Sequence, residues 1–368
     1  MKTVCKENMC AGCMACIEKC KVNAITMVDD LYAYNAVIDE KACIGCGACE
    51  RVCPNVFLAE KKPPIAWHQG WARQEMRKNS SSGGVASAII KQFVKNGGYV
   101  AACLFDKGEF VFQLTNDLNE TEMFAGSKYV KSNPVNIYGT VEEKLNAGER
   151  VLFIGLPCQV AAVKKSTGNP GNLYTIDLIC HGTPSPKLLD MFLKEKRVDM
   201  KTIKKISFRE KRSFGLRIRE KKLAPTGLRD MYTHAFLRGL DYTENCYSCQ
   251  YARWNRVSDI TLGDSWGSEL ETEEQAKGIS LILCQTAKGR ELVSRTEITT
   301  KPVDIEKAIR SNQQLIRPTE MHKNRRVFFK YIDKGFHKAI KKCSPKFYYK
   351  KKLKAILVTL RLMKGNEN

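Results

Sequence analysis

The chain has 368 residues, 43% of them hydrophobic, and a formal charge of +22, so two or three units with a sizeable core are expected. No run reaches the ~18 apolar residues of a membrane span, and Met1-Lys2-Thr3-Val4-Cys5 lacks the apolar stretch of a secretory signal, which makes the cytoplasm the expected compartment. Sixteen cysteines in a reducing compartment point to metal ligands or redox chemistry, not disulfides.

The chain opens with a cysteine-dense segment, residues 1–60. Cys10-x2-Cys13-x2-Cys16-x3-Cys20 recurs 33 residues later as Cys43-x2-Cys46-x2-Cys49-x3-Cys53-Pro54, with Gly12 matching Gly45 and Ala15 matching Ala48. Two-residue spacers let three successive sulfurs turn toward one point, and the fourth ligand of a cubane comes from elsewhere. In two-cluster ferredoxins the last cysteine of each run serves the other cluster. The spacing therefore predicts a [4Fe-4S] cluster on Cys10, Cys13, Cys16 and Cys53, and a second on Cys43, Cys46, Cys49 and Cys20. Zinc sites more often pair two Cys-x2-Cys units. The small residues beside the ligands leave backbone amides free to approach sulfur. Cys5 is left over and reads as an unengaged thiol.

Lys61-Lys62-Pro63-Pro64 reads as a linker, since consecutive prolines break helices. Arg77-Lys78-Asn79-Ser80-Ser81-Ser82-Gly83-Gly84 then leads into a helix over 85–96, whose apolar Val85, Ile89 and Phe93 share a face and which stops at Gly97-Gly98. Serine hydroxyls and glycine amides at a helix start form either an anion site or a plain N-cap. Strands are expected at 99–105, 151–154, 174–179, 260–262 and 279–283.

Cys158 follows the strand at 151–154 in Gly155-Leu156-Pro157-Cys158-Gln159, and Cys180 follows the strand at 174–179 in Cys180-His181-Gly182-Thr183-Pro184. Open α/β sheets place their sites at such carboxyl ends. With the Cys246-Tyr247-Ser248-Cys249 pair they give four thiols on three loops. These suit a third cluster or a zinc ion, and buried cysteines acting as small hydrophobes suit the same text. Cys103 and Cys284 lie in apolar strands and read as core. Cys343 has no visible partner.

The last segment, residues 321–368, is basic. Residues 320–368 carry 15 Lys or Arg against 3 Asp or Glu, whereas residues 1–60 carry 6 against 8. No nucleic-acid motif accompanies this charge, which argues against nucleic acid as a partner. Leu353, Ile356, Leu357 and Leu360 fall on one helical face behind a lysine cluster. That pattern suits a helix packed on the domain, a peripheral contact with an anionic membrane, or docking on an acidic protein.

Taken in order, the Ser80–Gly84 turn, Gly126-Ser127-Lys128-Tyr129-Val130, Gly155–Gln159, Cys180–Pro186, Phe208-Arg209-Glu210-Lys211, the Cys246/Cys249 pair and Gly263-Asp264-Ser265-Trp266-Gly267 resemble the family of coenzyme F-420 hydrogenase/dehydrogenase β subunits, with a ferredoxin fused in front. The likeness spans about residues 67–320. It implies an FAD-binding mixed α/β core preceded by a small α+β ferredoxin-like domain. It implies a third [4Fe-4S] cluster on Cys158, Cys180, Cys246 and Cys249. It also implies flavin contacts at Ser80, Ser81, Ser82, Gly83 and Gly84, with Lys128 and Tyr129 nearby. A tryptophan expected after the glycine of the Phe-Arg-x-Lys loop is absent: Gly215 precedes Leu216, so the substrate can differ from coenzyme F-420. His181 is the candidate proton donor.

Clusters move one electron and hydride chemistry moves two, so a flavin has to join them. The leading expectation is an iron–sulfur flavoprotein oxidoreductase acting on an organic substrate or a deazaflavin coenzyme, with ferredoxin or a hydrogenase or dehydrogenase subunit as partner. The alternative is a non-catalytic electron-transfer subunit of a larger redox complex. An exposed apolar patch near the first 60 residues favours the subunit, and a closed pocket over a flavin favours the enzyme.

Overall fold

The computed structural model describes residues 2–219, 221–224 and 228–360. Two short helices, Ala15–Glu18 and Ala48–Val52, each follow a residue with left-handed backbone, Met14 and Gly47. Between them β1 (Ile25–Asp29) and β2 (Tyr34–Ile38) pair antiparallel, with Ile25 opposite Ile38.

The main body is an eight-stranded mixed sheet. Its strands are β3 (Ala66–Ala72), β4 (Tyr99–Asp106), β5 (Glu109–Thr115), β6 (Val151–Gly155), β7 (Leu173–Leu178), and three later ones separated from these by a small three-stranded sheet. That small sheet consists of β8 (Ile206–Glu210), β9 (Ser213–Ile218) and β10 (Lys221–Lys222). The later strands of the main sheet are β11 (Ile260–Asp264), β12 (Ser280–Cys284) and β13 (Ile298–Lys301), and the spatial order is β13-β3-β12-β11-β7-β6-β4-β5. The pairs β4–β6, β6–β7 and β7–β11 are parallel and the rest antiparallel. All five residues of β6 are buried, as a parallel strand covered on both faces requires.

Alternation along these strands sorts their side chains to two cores. Val100, Ala102, Leu104, Leu152 and Ile154 pack against Val85, Ile89 and Phe93 of the helix Val85–Lys95. Ala101, Val151 and Phe153 pack on the other face with Val141, Val160 and Val163, which lie on the helices Ile137–Asn146 and Pro157–Thr167. Cys13, Ala15 and Val52 of the N-terminal segment join this second core. Backbone groups are tied across the same contact. Tyr138 donates to the Cys13 carbonyl at 2.6 Å, and Tyr251 donates to the Pro54 carbonyl at 2.7 Å. The cysteine-dense segment is thus packed into the body.

The basic C-terminal segment is also no appendage. Phe328, Phe336, Ala339 and Ile340, on the helices Arg325–Ile332 and Phe336–Cys343, are fully buried with Phe192, Phe208 and Tyr232. Cys343, which has no partner in the sequence pattern, is simply part of this core. The last helix, Pro345–Thr359, anchors through Phe347, stacked on His234 at 3.4 Å, while Leu353 and Ile356 stay exposed. The predicted apolar face of that helix is therefore not what holds it. Residues 361–368 lie outside the described residues. Truncation after Pro318 removes several aromatic core residues, each worth about 3–5 kcal/mol, against a typical total stability of about 5–15 kcal/mol. The expected product is insoluble or lacks a cooperative melt in thermal unfolding, and a soluble product with a sharp transition would overturn this placement.

Candidate functional site

The first three cysteines of the first run meet the last cysteine of the second. Cys10, Cys13, Cys16 and Cys53 line one small cavity with Val4, Met14, Ala36 and Pro54, and Cys5 lines it too. All five thiols are buried. The Gly12 amide donates to Cys10 Sγ at 3.4 Å, the kind of N–H to sulfur contact that stabilises a cluster ligand. The Cys5 thiol hydrogen-bonds to Cys10 and Cys53, which pushes its own pKa up, lowers that of Cys10 and brings Cys53 down to about 7. Cys5 thus shares the first cavity with the four expected ligands. Burial, followed by repulsion from neighbouring thiols, drives Cys13 and Cys16 upward.

The second set sits at the surface. Cys46 is exposed, and Cys20, Cys43 and Cys49 are half-buried. Cys49 is raised by burial first, with the neighbouring Cys20 a smaller contributor. Cys16 feels Cys49, so the two sets adjoin. Ile44, inside the second run, is 67% exposed, and Val56, Phe57 and Leu58 are exposed as well.

The third set comes from the carboxyl end of the parallel strands. Cys158 occupies the first turn of the helix Pro157–Thr167, Cys180 follows β7, and Cys246 and Cys249 close a one-turn segment at Glu244–Ser248. All four line a cavity of about 210 Å³, together with Lys131, His181, Thr183 and Arg256. Burial pushes Cys158 up to about 12, against the pull of Lys131 and with Cys249 and Cys246 adding to the rise. Burial, then Cys246 and Cys158, pushes Cys180 up as well. Such thiols resist ionising side by side, so holding them as thiolates needs a cationic centre, which is the donor chemistry of an iron–sulfur group. Among the described residues no three or more His, Cys, Asp or Glu side chains close on one metal-ion position. The thiols of the first and third sets line cavities.

A buried ion pair holds this third loop. Arg256 contacts Asp177 of β7 at 2.9 Å, both side chains being essentially inaccessible, and its guanidinium also donates to the Tyr251 and Leu178 carbonyls. Asp177→Ala leaves a buried cation unpaired, which typically costs about 3–5 kcal/mol. The expected result is a large fall in denaturation midpoint, measured by urea unfolding. A loss under about 1 kcal/mol, the range of an exposed pair, would refute the role.

The Ser80–Gly84 turn does not form an open cradle. Ser80 and Ser82 hydroxyls donate to the Met76 and Ile279 carbonyls, and Ser81 Oγ accepts from the Ser127 amide. A Cβ on Gly83 would sit 2.5 Å from the Gly70 carbonyl oxygen, so this glycine serves close packing on β3. Lys211 donates to the Arg77, Ser80 and Ser82 carbonyls. The cavity beside it, lined by Arg209, Lys211, Asp264 and Trp266, is about 10 Å³. Lys128 donates to the Phe124 and Ala125 carbonyls, and Tyr129 stacks on Phe236 at 4.5 Å. Ser80, Ser81, Ser82, Gly83, Lys128 and Tyr129 thus make internal contacts in this conformation.

His181 lines the mouth of the third cavity. It keeps solvent access, yet crowding by protein lowers its pKa, with Asp264 raising it and Arg209 lowering it. That ion pair is bidentate, at 2.6 and 3.0 Å, and Arg209 also donates to the Tyr129 hydroxyl at 3.3 Å. Asp264, in the Gly263–Gly267 motif, is the anchor of a buried arginine. Lys131, at the junction of the first and third cavities, has no signature in the sequence beyond following the Gly126–Val130 motif.

Residues 148–306 match the family described as the C terminus of the β subunit of coenzyme F420 hydrogenase/dehydrogenase, and residues 9–58 match a 4Fe-4S dicluster domain. The chain is similar to the F subunit of the F(420)H(2) dehydrogenase of Methanosarcina mazei, 26% identical over 72% of this chain and 79% of that protein. It is also similar to the coenzyme F420-dependent sulfite reductase of Methanocaldococcus jannaschii, 26% identical over 79% of this chain but only 46% of that longer protein. The F420-reducing [NiFe] hydrogenase complex of Methanosarcina barkeri contains a chain that aligns with a TM-score of 0.49 at 18% identity, covering 77% of this chain and 98% of that one. The resemblance read from the motifs is thereby upheld for both parts, and the chain is of a redox type. None of these names mentions a flavin.

Proposed function

We propose that this chain, in which a domain of the coenzyme F420 hydrogenase/dehydrogenase β type follows a 4Fe-4S dicluster domain, is an electron-transfer subunit that carries electrons between a reduced deazaflavin coenzyme and a partner redox protein. The supporting observation is the placement of its three thiol sets. Cys46 is exposed with Cys20, Cys43 and Cys49 half-buried, the Cys10 set is buried, and the Cys158 set, half-buried except for Cys246, rings a further cavity. Exposed Ile44 within the second run, and Phe57 and Leu58 just after it in the chain, add apolar surface to this segment, which suits docking by a ferredoxin or a hydrogenase or dehydrogenase subunit. The names of the related dehydrogenase and sulfite reductase support coenzyme F420 as the deazaflavin.

Bound to these sets, clusters supply one-electron steps, and FAD supplies the conversion to the two-electron chemistry of a hydride donor. The protein's own part is to exclude water from the Cys10 set, to keep the third loop fixed through Arg256 and Asp177, and to place the His181 imidazole on the lining of the third cavity, where it can hold or release a proton. FAD stands on electron counting alone.

Reconstituted protein, kept anaerobic, is expected to lose cluster absorbance when mixed with reduced coenzyme F420. Sustained coenzyme oxidation is expected only when a one-electron acceptor protein or dye is added. Clusters that stay oxidised in the presence of the coenzyme would sink the proposal, and so would steady turnover of a two-electron organic acceptor by the chain alone. No helix among the described residues is long and apolar enough to cross a membrane.

A further inference from the structure

Lys131 is only 4% exposed. Its Nζ donates to the Ala11 carbonyl at 2.9 Å and lies 5.2 Å from the centroid of the Tyr34 ring. Ala11 belongs to the first cysteine run and lines its cavity, and Lys131 itself lines the cavity of Cys158, Cys180, Cys246 and Cys249. Its backbone amide is fixed by the Pro184 carbonyl at 2.9 Å. Gly12 makes room for the stem: a Cβ there would sit 2.7 Å from Lys131 Cδ and 2.9 Å from Tyr34 Cδ2. The glycine expected only to free an amide thus also admits a buried cation. Among the described residues no carboxylate pairs with Lys131.

A buried ammonium with no counter-anion is strongly unfavourable. Lys131 lies between the Ala11 carbonyl of the first cysteine run and the cavity that Cys158, Cys180, Cys246 and Cys249 line. A cubane on four thiolates carries net negative charge, and its reduction potential follows local charge and hydrogen bonding. We propose that Lys131 is a shared electrostatic positioning residue, a fixed cation at the junction of the Cys10 and Cys158 cavities that makes both bound clusters easier to reduce and links their potentials. The part concerning Cys158 rests on the third-cluster reading, and the part concerning Cys10 does not.

The test compares wild type with Lys131→Met, which keeps the stem without charge, and Lys131→Arg, which keeps charge. Each is reconstituted anaerobically, iron is counted, and cluster potentials are read by EPR during a redox titration. In Lys131→Met the reduced-to-oxidised ratio at fixed potential is expected to fall at least tenfold, about 59 mV for one electron, at both clusters beside Lys131. The exposed cluster of Cys20, Cys43, Cys46 and Cys49 should not move, and Lys131→Arg should restore both potentials. Unmoved potentials, an equal shift of all clusters, or an arginine variant indistinguishable from the methionine variant would overturn the proposal. If Lys131→Met and Lys131→Gln lose iron while Lys131→Arg keeps it, charge is needed for assembly and the proposal stands; loss in all three overturns it. Wild type holding only two clusters would remove the third-cluster reading and leave the Cys10 shift as the test of Lys131.

Discussion

Anaerobically reconstituted wild-type protein is expected to hold about twelve iron atoms, three cubanes of four, and the Cys246→Ala, Cys249→Ala double variant about eight. The reason lies in how the third set is built. Cys158 and Cys180 are presented by adjacent parallel strands, while Cys246 and Cys249 arrive on a separate loop clamped by Arg256 and Asp177. Removing the pair leaves two thiols facing a cavity of about 210 Å³, too few to hold a cubane. The substitutions trade small side chains for small ones, so the fold should persist. Iron analysis of both proteins, with EPR to count reduced centres, gives the answer. Wild type saturating at the iron of two clusters would sink the third site, and a double variant that keeps all its iron would move the site elsewhere.

Cys53→Ser is expected to damage the cluster held by Cys10, Cys13 and Cys16 and to spare that of Cys43, Cys46 and Cys49. Cys53 lies 33 residues after Cys20 in the second run, yet lines the cavity of the first. Cys5 shares that cavity and hydrogen-bonds to Cys53, so it stands ready as a substitute donor. The decisive protein is therefore the Cys5→Ala, Cys53→Ser double variant, which should lose about four iron atoms. EPR of the remaining centres identifies the lost cluster. Loss of the Cys43 cluster alone would show that ligation does not cross between the runs.

Much of the architecture is written locally. The duplicated cysteine runs, the helix Val85–Lys95 and the cores of β4, β6, β7, β11 and β12 are readable because a ligand loop, a helical face and a buried strand each impose a short-range pattern. The apolar texts at 151–154 and 174–179 also mark where the strands end, and hence where Cys158 and Cys180 stand. The basic C-terminal segment misleads for the same reason. Its charge is visible residue by residue, but Phe328 and Phe336 pack against Phe192 and Tyr232, more than a hundred residues earlier in the case of Phe192.

The sequence alone therefore determined which cysteines are grouped in runs, that the larger part is a mixed α/β body, and which two loops carry thiols at strand ends. Only the tertiary structure decided that Cys5 shares the first cavity, that the serine turn is filled by its own hydrogen bonds and by Lys211, and that Arg209 pairs with Asp264. It alone put Lys131 against Ala11, 120 residues away in the chain. Spacing records what neighbours along the chain can reach together. Burial of a charge depends on which distant segments pack around it, and no local pattern carries that information.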